Sequence, residues 1–559
     1  MSESAESIDA ASRRRAFERP VRLPSLRCTA VIVVGALAVL AAGCDGDRLG
    51  LGPSRERGAR PADTLVVGRP LDAISLDPAR PTDNESAEVI AQVYETLVRY
   101  APGTTEVEPG LAVAWEADPG GTVWTFHLRP GVVFHDGTPF DADAVVFSFE
   151  RQRDPAHPFH HGKFNYWENA FKNIVAVERV DPLTVRFRIA GPYAPFLANM
   201  TMFPVSIVSP AAVRAWGDEF GAHPVGTGPF RVERWDRGDR IVLARHDRYW
   251  GPRPALAHLV FEVIADPRQR LIDLESGSID LALAILPSEL QFVDLHPGLV
   301  LYRPPINNVT YLAMNCQKPP FDDVRVRRAI NLAINKTPIV RLAYHGLAIP
   351  ADGPLPPTQW GHVDAPTSRY APDEARALLR EVAAEGKLEL DRSYALYAPA
   401  TPRPYLPNPD PVVRIIKSNL EAVGLPIVVV QQPFDAHVDD TEAGRHDLSL
   451  LGWVGDNGDP DNYLFLLFDQ ANTVPGLAQN VAFYRDAEVS RLLREAQVAS
   501  GRPARETLYA DVQRRIAVDA PWVPLAHSQT AIAARDDIAG VVVGSAGHVV
   551  YTGLRRVPR

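Results

Sequence analysis

The stretch Gly452-Trp453-Val454-Gly455-Asp456-Asn457-Gly458-Asp459-Pro460-Asp461-Asn462-Tyr463 is acidic, rich in glycine and carries one indole. It follows the largely apolar run Asp447 to Leu451, so a short buried strand is expected to run straight into a turn. A carboxylate at a strand end is held still. Asp456, behind Trp453 and beside flexible glycine backbone, can be aimed at a small cationic group with little ordering cost. Asp-Asn-Gly-Asp-Pro is equally good turn chemistry for a surface loop, and the residues by themselves leave both readings open.

Other reactive residue types resolve into structure. His135 adjoins Asp136, but neighbours on a strand point to opposite faces, so a satisfied turn is expected rather than an acid-base pair. His157, His160 and His161 form a cluster that a transition metal can use. Pro158 breaks its register and no carboxylate or thiol accompanies it, so a polar loop is expected. The glycine-rich turn from Pro224 to Val232 lacks the Lys of a phosphate loop and feeds a strand, not a helix. With no Gly-x-Ser-x-Gly and no His-Glu-x-x-His, neither catalysis nor a cofactor is expected. A secreted hydrolase working through His135 or the His157 to His161 cluster is the alternative from another class.

At 559 residues, 46% of them apolar and 23% charged, the chain has the composition of a large globular protein. Its 68 acidic against 58 basic residues give a net charge of −10, which offers no footprint for nucleic acid. The three cysteines, Cys28, Cys44 and Cys316, form neither a zinc-type cluster nor a disulfide framework. Six arginines precede an apolar run from Cys28 to Gly43, which ends in small residues just before Cys44. This reads as an export signal, and the end resembles the bacterial lipoprotein box, in which such a Cys is acylated and becomes the first mature residue. Lipidation at Cys44 and attachment to a membrane through that lipid are therefore expected. An uncleaved anchor helix and an ordinary cleaved signal are the alternatives.

The elements that must position these residues are legible as periods. Asp45 to about Ala62 has no apolar period and reads as a tether. An extended segment starts at Thr64, and apolar spacing predicts a helix over Ser86 to Tyr100. Strands are predicted at Trp124 to Arg129, Ile174 to Val180, Thr184 to Ile189 and Ile427 to Val430. Helices are predicted after caps at Asp143 and at Asp322 or Asp323, over Pro372 to Glu385, over Val412 to Val423 and through most of Asp486 to Ala520.

Several of these segments together resemble family 5 of the bacterial solute-binding proteins. They are Trp115-Glu116, Trp124 to Gly137, Pro224 to Phe230, Tyr249-Trp250-Gly251 and Asn315 to Ile330. Arg403-Pro404-Tyr405 and Gly455 to Asn462 are similar to ligand-site segments of its dipeptide-binding branch. The resemblance implies an α/β, two-lobed periplasmic-binding-protein fold, type II in its large three-domain variant, with a hinge between lobes. It implies a lobe of 63–100, 205–308 and 520–559, an accessory domain of 101–204 packed on it, and a second lobe of 309–519, after a leader of 1–43 and a tether of 44–62. It further implies that Arg403 pairs with a peptide carboxylate and Asp456 with its ammonium, while Trp453 and Tyr405 flank the peptide backbone. The implied partners are a short peptide and the permease of an ATP-driven importer, the protein itself being exported and a monomer. Haem, glutathione, an oligopeptide or a nickel chelate are alternative cargoes on the same fold. A dipeptide is a zwitterion about 7 Å long, so opposite charges fixed that far apart act as a ruler for length.

Overall fold

The structure is a computed structural model that describes residues 61–364, 369–544 and 547–558. The expected leader and Cys44 lie outside the described residues. Among those described, no helix is long and apolar enough to cross a membrane.

Three sheets organise the chain. The first has seven strands, in spatial order Leu299–Tyr302, Ile532–Arg535, Leu281–Ala282, Thr64–Arg69, His258–Val263, Arg240–Arg245 and Phe230–Asp236. A four-stranded antiparallel sheet, in order Ala112–Ala117, Val123–Leu128, Thr184–Ile189 and Ile174–Asp181, is inserted in sequence between Thr64–Arg69 and Phe230–Asp236. The third has six strands, in order Ala348–Pro350, Trp522–Ser528, Asn308–Met314, Leu448–Val454, Tyr394–Pro399 and Ile427–Gln432.

Asn308–Met314 shows why the third sheet lies where it does. All seven of its residues are buried. Because strand side chains alternate, Leu312 and Met314 enter one apolar core while Val309, Tyr311 and Ala313 enter the core on the other face. Tyr311 stacks on Trp522 of the adjoining strand, with ring centroids 3.5 Å apart. Among the described residues, the chain passes between the seven-stranded and six-stranded sheets twice, after Tyr302 and after Ser528. These two connections touch: Pro305 and Gln529 form an antiparallel bridge, and Thr530 N–H donates to the Pro304 carbonyl at 3.2 Å. The segment from 520 onward, expected with the first lobe, gives its first strand, Trp522–Ser528, to the six-stranded sheet instead.

Local expectations meet local facts. The helix expected over Ser86 to Tyr100 spans Asn84–Val93 and gives way to a strand, Val98–Tyr100. The physical reason lies elsewhere in sequence: Gly228 N–H takes the Val93 carbonyl at 3.0 Å, and a Cβ at Gly226 or Gly228 would meet that carbonyl at 2.2 or 2.7 Å. Those glycines serve a close backbone approach, not a phosphate. His135 and Asp136 form the expected turn, the imidazole Nε2 meeting the Gly228 carbonyl at 3.0 Å and Asp136 accepting from Thr138 and Ser209. Pro338 falls third in the helix Lys336–Ala343, a position whose N–H has no partner within the helix.

Candidate ligand-binding site

Asp456 lies two residues beyond the strand Leu448–Val454, and Arg403 four beyond Tyr394–Pro399. These strands are parallel neighbours, with Tyr397 opposite Ser449, so both charges leave the same edge of the sheet. The register offset of 52 residues nearly equals the separation of 53 between Arg403 and Asp456. The carboxyl ends of parallel strands are where open α/β sheets place ligands.

Asp456 is partly buried and is held on two sides. Asn462, in the first turn of the helix Asp461–Phe468, donates to Oδ2 at 3.3 Å, and its own Oδ1 accepts from Asp456 N–H and from Trp453 Nε1–H, both at 3.0 Å. Asn462 thereby locks the carboxylate and the indole together. Tyr166, from the chain around the four-stranded sheet, donates its hydroxyl to Asp456 Oδ1 at 3.2 Å. None of these partners is a cation. Desolvation accordingly pushes the Asp456 carboxyl up to about 6, against the pull of Asn462 and Tyr166. A carboxylate desolvated in this way lacks a positive partner that a ligand ammonium would supply.

Arg403 begins a tight turn, exchanging backbone hydrogen bonds of 2.9 Å with Leu406, and its guanidinium lies 3.7 Å from the centroid of the Phe434 ring. Its Nε is buried without a hydrogen-bond partner. Tyr405 is only 5% exposed. Its carbonyl accepts from Thr310 and Tyr344, and its ring lies on Gly452, where a Cβ would stand 2.2 Å from the ring. The ring is therefore a core group. The Tyr405 hydroxyl is also buried, and burial pushes it up to about 12 against the pull of the neighbouring Arg403 guanidinium. Replacing Gly452 by Ala must displace either this ring or the Val309 carbonyl, which a Cβ would meet at 2.6 Å. The expected cost is about 1–3 kcal/mol, read as a fall in the unfolding midpoint, together with weaker ligand binding as the Arg403 turn shifts.

The loop behind Asp456 is pinned by an ion pair. Arg505 grips Asp459 in a bidentate fork at 2.6 and 2.7 Å, with both side chains less than a tenth exposed, and also donates to the Ala496 carbonyl and to the Tyr509 hydroxyl. The Tyr100 hydroxyl accepts from Gly458 N–H at 2.8 Å, and Asn457 donates to Asn199. The sequence singled out Asp456, Trp453, Arg403 and Tyr405 as candidates and gave no sign of Tyr166, Phe434 and Arg505, which the structure places beside them. No local motif marks those three, because each reaches the site from a distant part of the chain.

The sequence profile described as bacterial extracellular solute-binding proteins, family 5 Middle, matches residues 106–474. The dipeptide-binding protein of Escherichia coli K12 is 34% identical over 472 residues, covering 81% of this chain and 87% of that protein. Heme-binding protein A of Haemophilus influenzae is 32% identical over 549 residues, covering 95% of this chain and 99% of that protein. A solved ABC transporter-associated periplasmic binding protein from Helicobacter pylori, in complex with the peptide STSA, superposes with a TM-score of 0.75 at 32% identity, covering 88% of this chain and 98% of that one. All three are named as binding proteins, the one from Helicobacter pylori as ABC transporter-associated and periplasmic, and the shared architecture is the two-lobed periplasmic-binding-protein fold. With its profile match, its relatives and its sheet-edge site in agreement, the chain belongs to the bacterial extracellular solute-binding proteins of family 5.

Proposed function

We propose that the protein captures dipeptides or similarly short peptides outside the cytoplasm and delivers them to the permease of an ATP-driven importer. The observation that carries this reading is the pair of opposite charges, Asp456 and Arg403, leaving one sheet edge on parallel neighbouring strands. Asp456 takes the ammonium and Arg403 the carboxylate, a planar fork that Lys cannot copy. Trp453 flanks the peptide, and Tyr405 contributes its hydroxyl. Lipid attachment at Cys44, a monomeric state and the three-part division of the chain belong to the same proposal, with Trp522–Ser528 assigned to the second lobe because it pairs there.

Calorimetric titration with Ala-Ala and with its N-acetylated and C-amidated forms tests the reading. Free Ala-Ala binds and each blocked form loses at least tenfold; equal affinity for blocked and free peptides overturns it. The pH dependence has a definite sign. A peptide ammonium pairs with the ionised carboxylate, so affinity is full above about pH 6 and falls about tenfold per unit below it, as Asp456 takes up a proton. The measurement is a series of Kd values between pH 4.5 and 7.5, where a flat profile contradicts the role of Asp456. Haem is the second reading, supported by the relative named for haem binding, and a haem titration followed by its absorption spectrum decides between them.

A further inference from the structure

Gly452, Gly455 and Gly458 punctuate the segment that carries Asp456, and what lies beside each of them differs. A Cβ at Gly452 would press on Tyr405 and Val309, and one at Gly455 would meet the Tyr463 ring at 2.7 Å. Those neighbours belong to the apolar cores on the two faces of the six-stranded sheet, which carries the segment itself. A Cβ at Gly458 would instead meet Thr105 Cγ2 at 2.5 Å, Thr105 Cβ at 2.6 Å and the Tyr100 hydroxyl at 3.1 Å. All three atoms come from the hairpin in which Val98–Tyr100 pairs with Val107–Pro109. Gly458 is not among the glycines with a left-handed φ, so what it serves is the close approach.

The two sides of this contact belong to different parts of the fold. The hairpin leads directly into the four-stranded sheet and shares its core, where Val98 and Leu111 pack with Phe126. Gly458 is fastened on the other side. Its carbonyl accepts from Gln359 Nε2–H at 2.7 Å and from Trp360 Nε1–H at 2.8 Å, while Gln359 Oε1 accepts from Asn307 Nδ2–H at 3.0 Å. Asn307 lies in the first of the two connections between the large sheets, and its carbonyl takes Gly455 N–H at 2.8 Å. The loop is thus tied to the connection about which the two lobes can turn.

Other bonds cross the same line. Gly458 N–H donates to the Tyr100 hydroxyl at 2.8 Å, Tyr193 donates to Asp461 at 3.3 Å, and Ala194 N–H donates to the Gln497 carbonyl at 2.6 Å. The bond from Tyr166 to Asp456 belongs to this set, so the ligand-site carboxylate is completed only when the line is closed.

We propose that Gly458 is the contact on which the two lobes close, and that its missing side chain makes it a positioning residue for peptide capture. The proposal rests on the peptide reading above. An added methyl meets Thr105 at its Cβ as well as at a methyl, and a β-branched side chain cannot swing its own Cβ aside. Gly458 cannot withdraw either, because Gln359 and Trp360 hold its carbonyl. The hairpin must therefore move, and the four-stranded sheet and Tyr166 move with it. Because the loop is bonded to the pivot, a small displacement there widens the cleft where a ligand touches both lobes.

The test compares wild type, Gly458→Ala, Thr105→Gly and the double variant by small-angle X-ray scattering of the empty proteins, by calorimetric titration with Ala-Ala and by thermal unfolding. Gly458→Ala is expected to show a larger radius of gyration than wild type and to bind Ala-Ala about tenfold more weakly. Its unfolding midpoint does not fall, since the three nearest atoms to the new methyl all lie across the contact. The double variant removes the Thr105 atoms and recovers both radius and affinity, with Thr105→Gly alone as its reference. Equal radii for wild type and Gly458→Ala overturn the proposal whatever the affinity. A larger radius with unchanged affinity overturns the role in capture. A lowered midpoint, or no recovery in the double variant, shows a structural turn glycine and overturns it too. A larger, recoverable radius in a protein that binds no Ala-Ala in any form overturns the peptide reading and leaves the closing contact standing.

Discussion

Replacing Asp456 by Ala is expected to weaken binding of a free dipeptide at pH 7.5 by a hundredfold or more while leaving the unliganded protein at least as stable. The two halves have one cause. Without ligand, the Asp456 carboxyl is desolvated, meets only neutral donors and titrates near 6, so its ionised form is a burden on the empty protein. With ligand, the same carboxylate would receive an ammonium in a charge-assisted pair, and removing one partner of such a pair costs about 2–5 kcal/mol. Calorimetry reads the first half and thermal unfolding without ligand reads the second. A variant that binds normally, or one that loses stability and binding together, shows that Asp456 is a structural turn residue after all.

Arg505→Ala is expected to act in the opposite sense, costing about 3–5 kcal/mol of stability before any effect on ligand is considered. Removing the guanidinium strands Asp459 in a buried position, beside Asp461, whose own carboxyl burial and Asp459 already push up to about 7. Asp459 lies in the loop that carries Asp456 and Asp461 opens the helix that follows it, so the surviving folded protein should also bind more weakly. Replacing the pair together, as Arg505→Met with Asp459→Asn, removes the stranded charge and should recover most of the loss in denaturant unfolding. No recovery in the double variant means that packing around Trp360 and Tyr509, over which the Arg505 side chain lies, outweighs the charge.

Elements with a strong local period were legible in the sequence. The helices Val324–Ala333 and Pro372–Ala384 match their apolar spacing and stop signals closely, whereas Ala142–Arg153 is capped by Asp141, with the expected cap Asp143 inside its first turn, and Pro409–Ala422 starts three residues before Val412. Tertiary contacts override that signal where a distant segment claims a backbone group. Val89 to Val98 keeps helical spacing past Val93, yet the helix ends there because the loop at Gly226 to Gly228 takes the Val93 carbonyl. Trp522–Ser528 pairs in the six-stranded sheet although the rest of its segment continues into the other one. A short apolar run states that it is a strand without naming its neighbour.

The site divides in the same way. Residue type and local turn chemistry marked Asp456 and Trp453, and the likeness of Arg403-Pro404-Tyr405 to a family segment marked Arg403 and Tyr405. Only the parallel pairing of Tyr394–Pro399 with Leu448–Val454 puts the two charges on one edge, since register is a property of two strands together. Tyr405 turned from an expected flanking ring into a core group for a comparable reason. Its ring fills the space that Gly452 leaves empty on a strand 47 residues away in sequence. The sequence by itself determined the fold class, the spacing of the helices and the residue types able to hold a zwitterion. Tertiary structure alone decided that Tyr166 and Asn462 hold Asp456. Burial and net charge at a site depend on which segments converge there, and no single segment encodes that convergence.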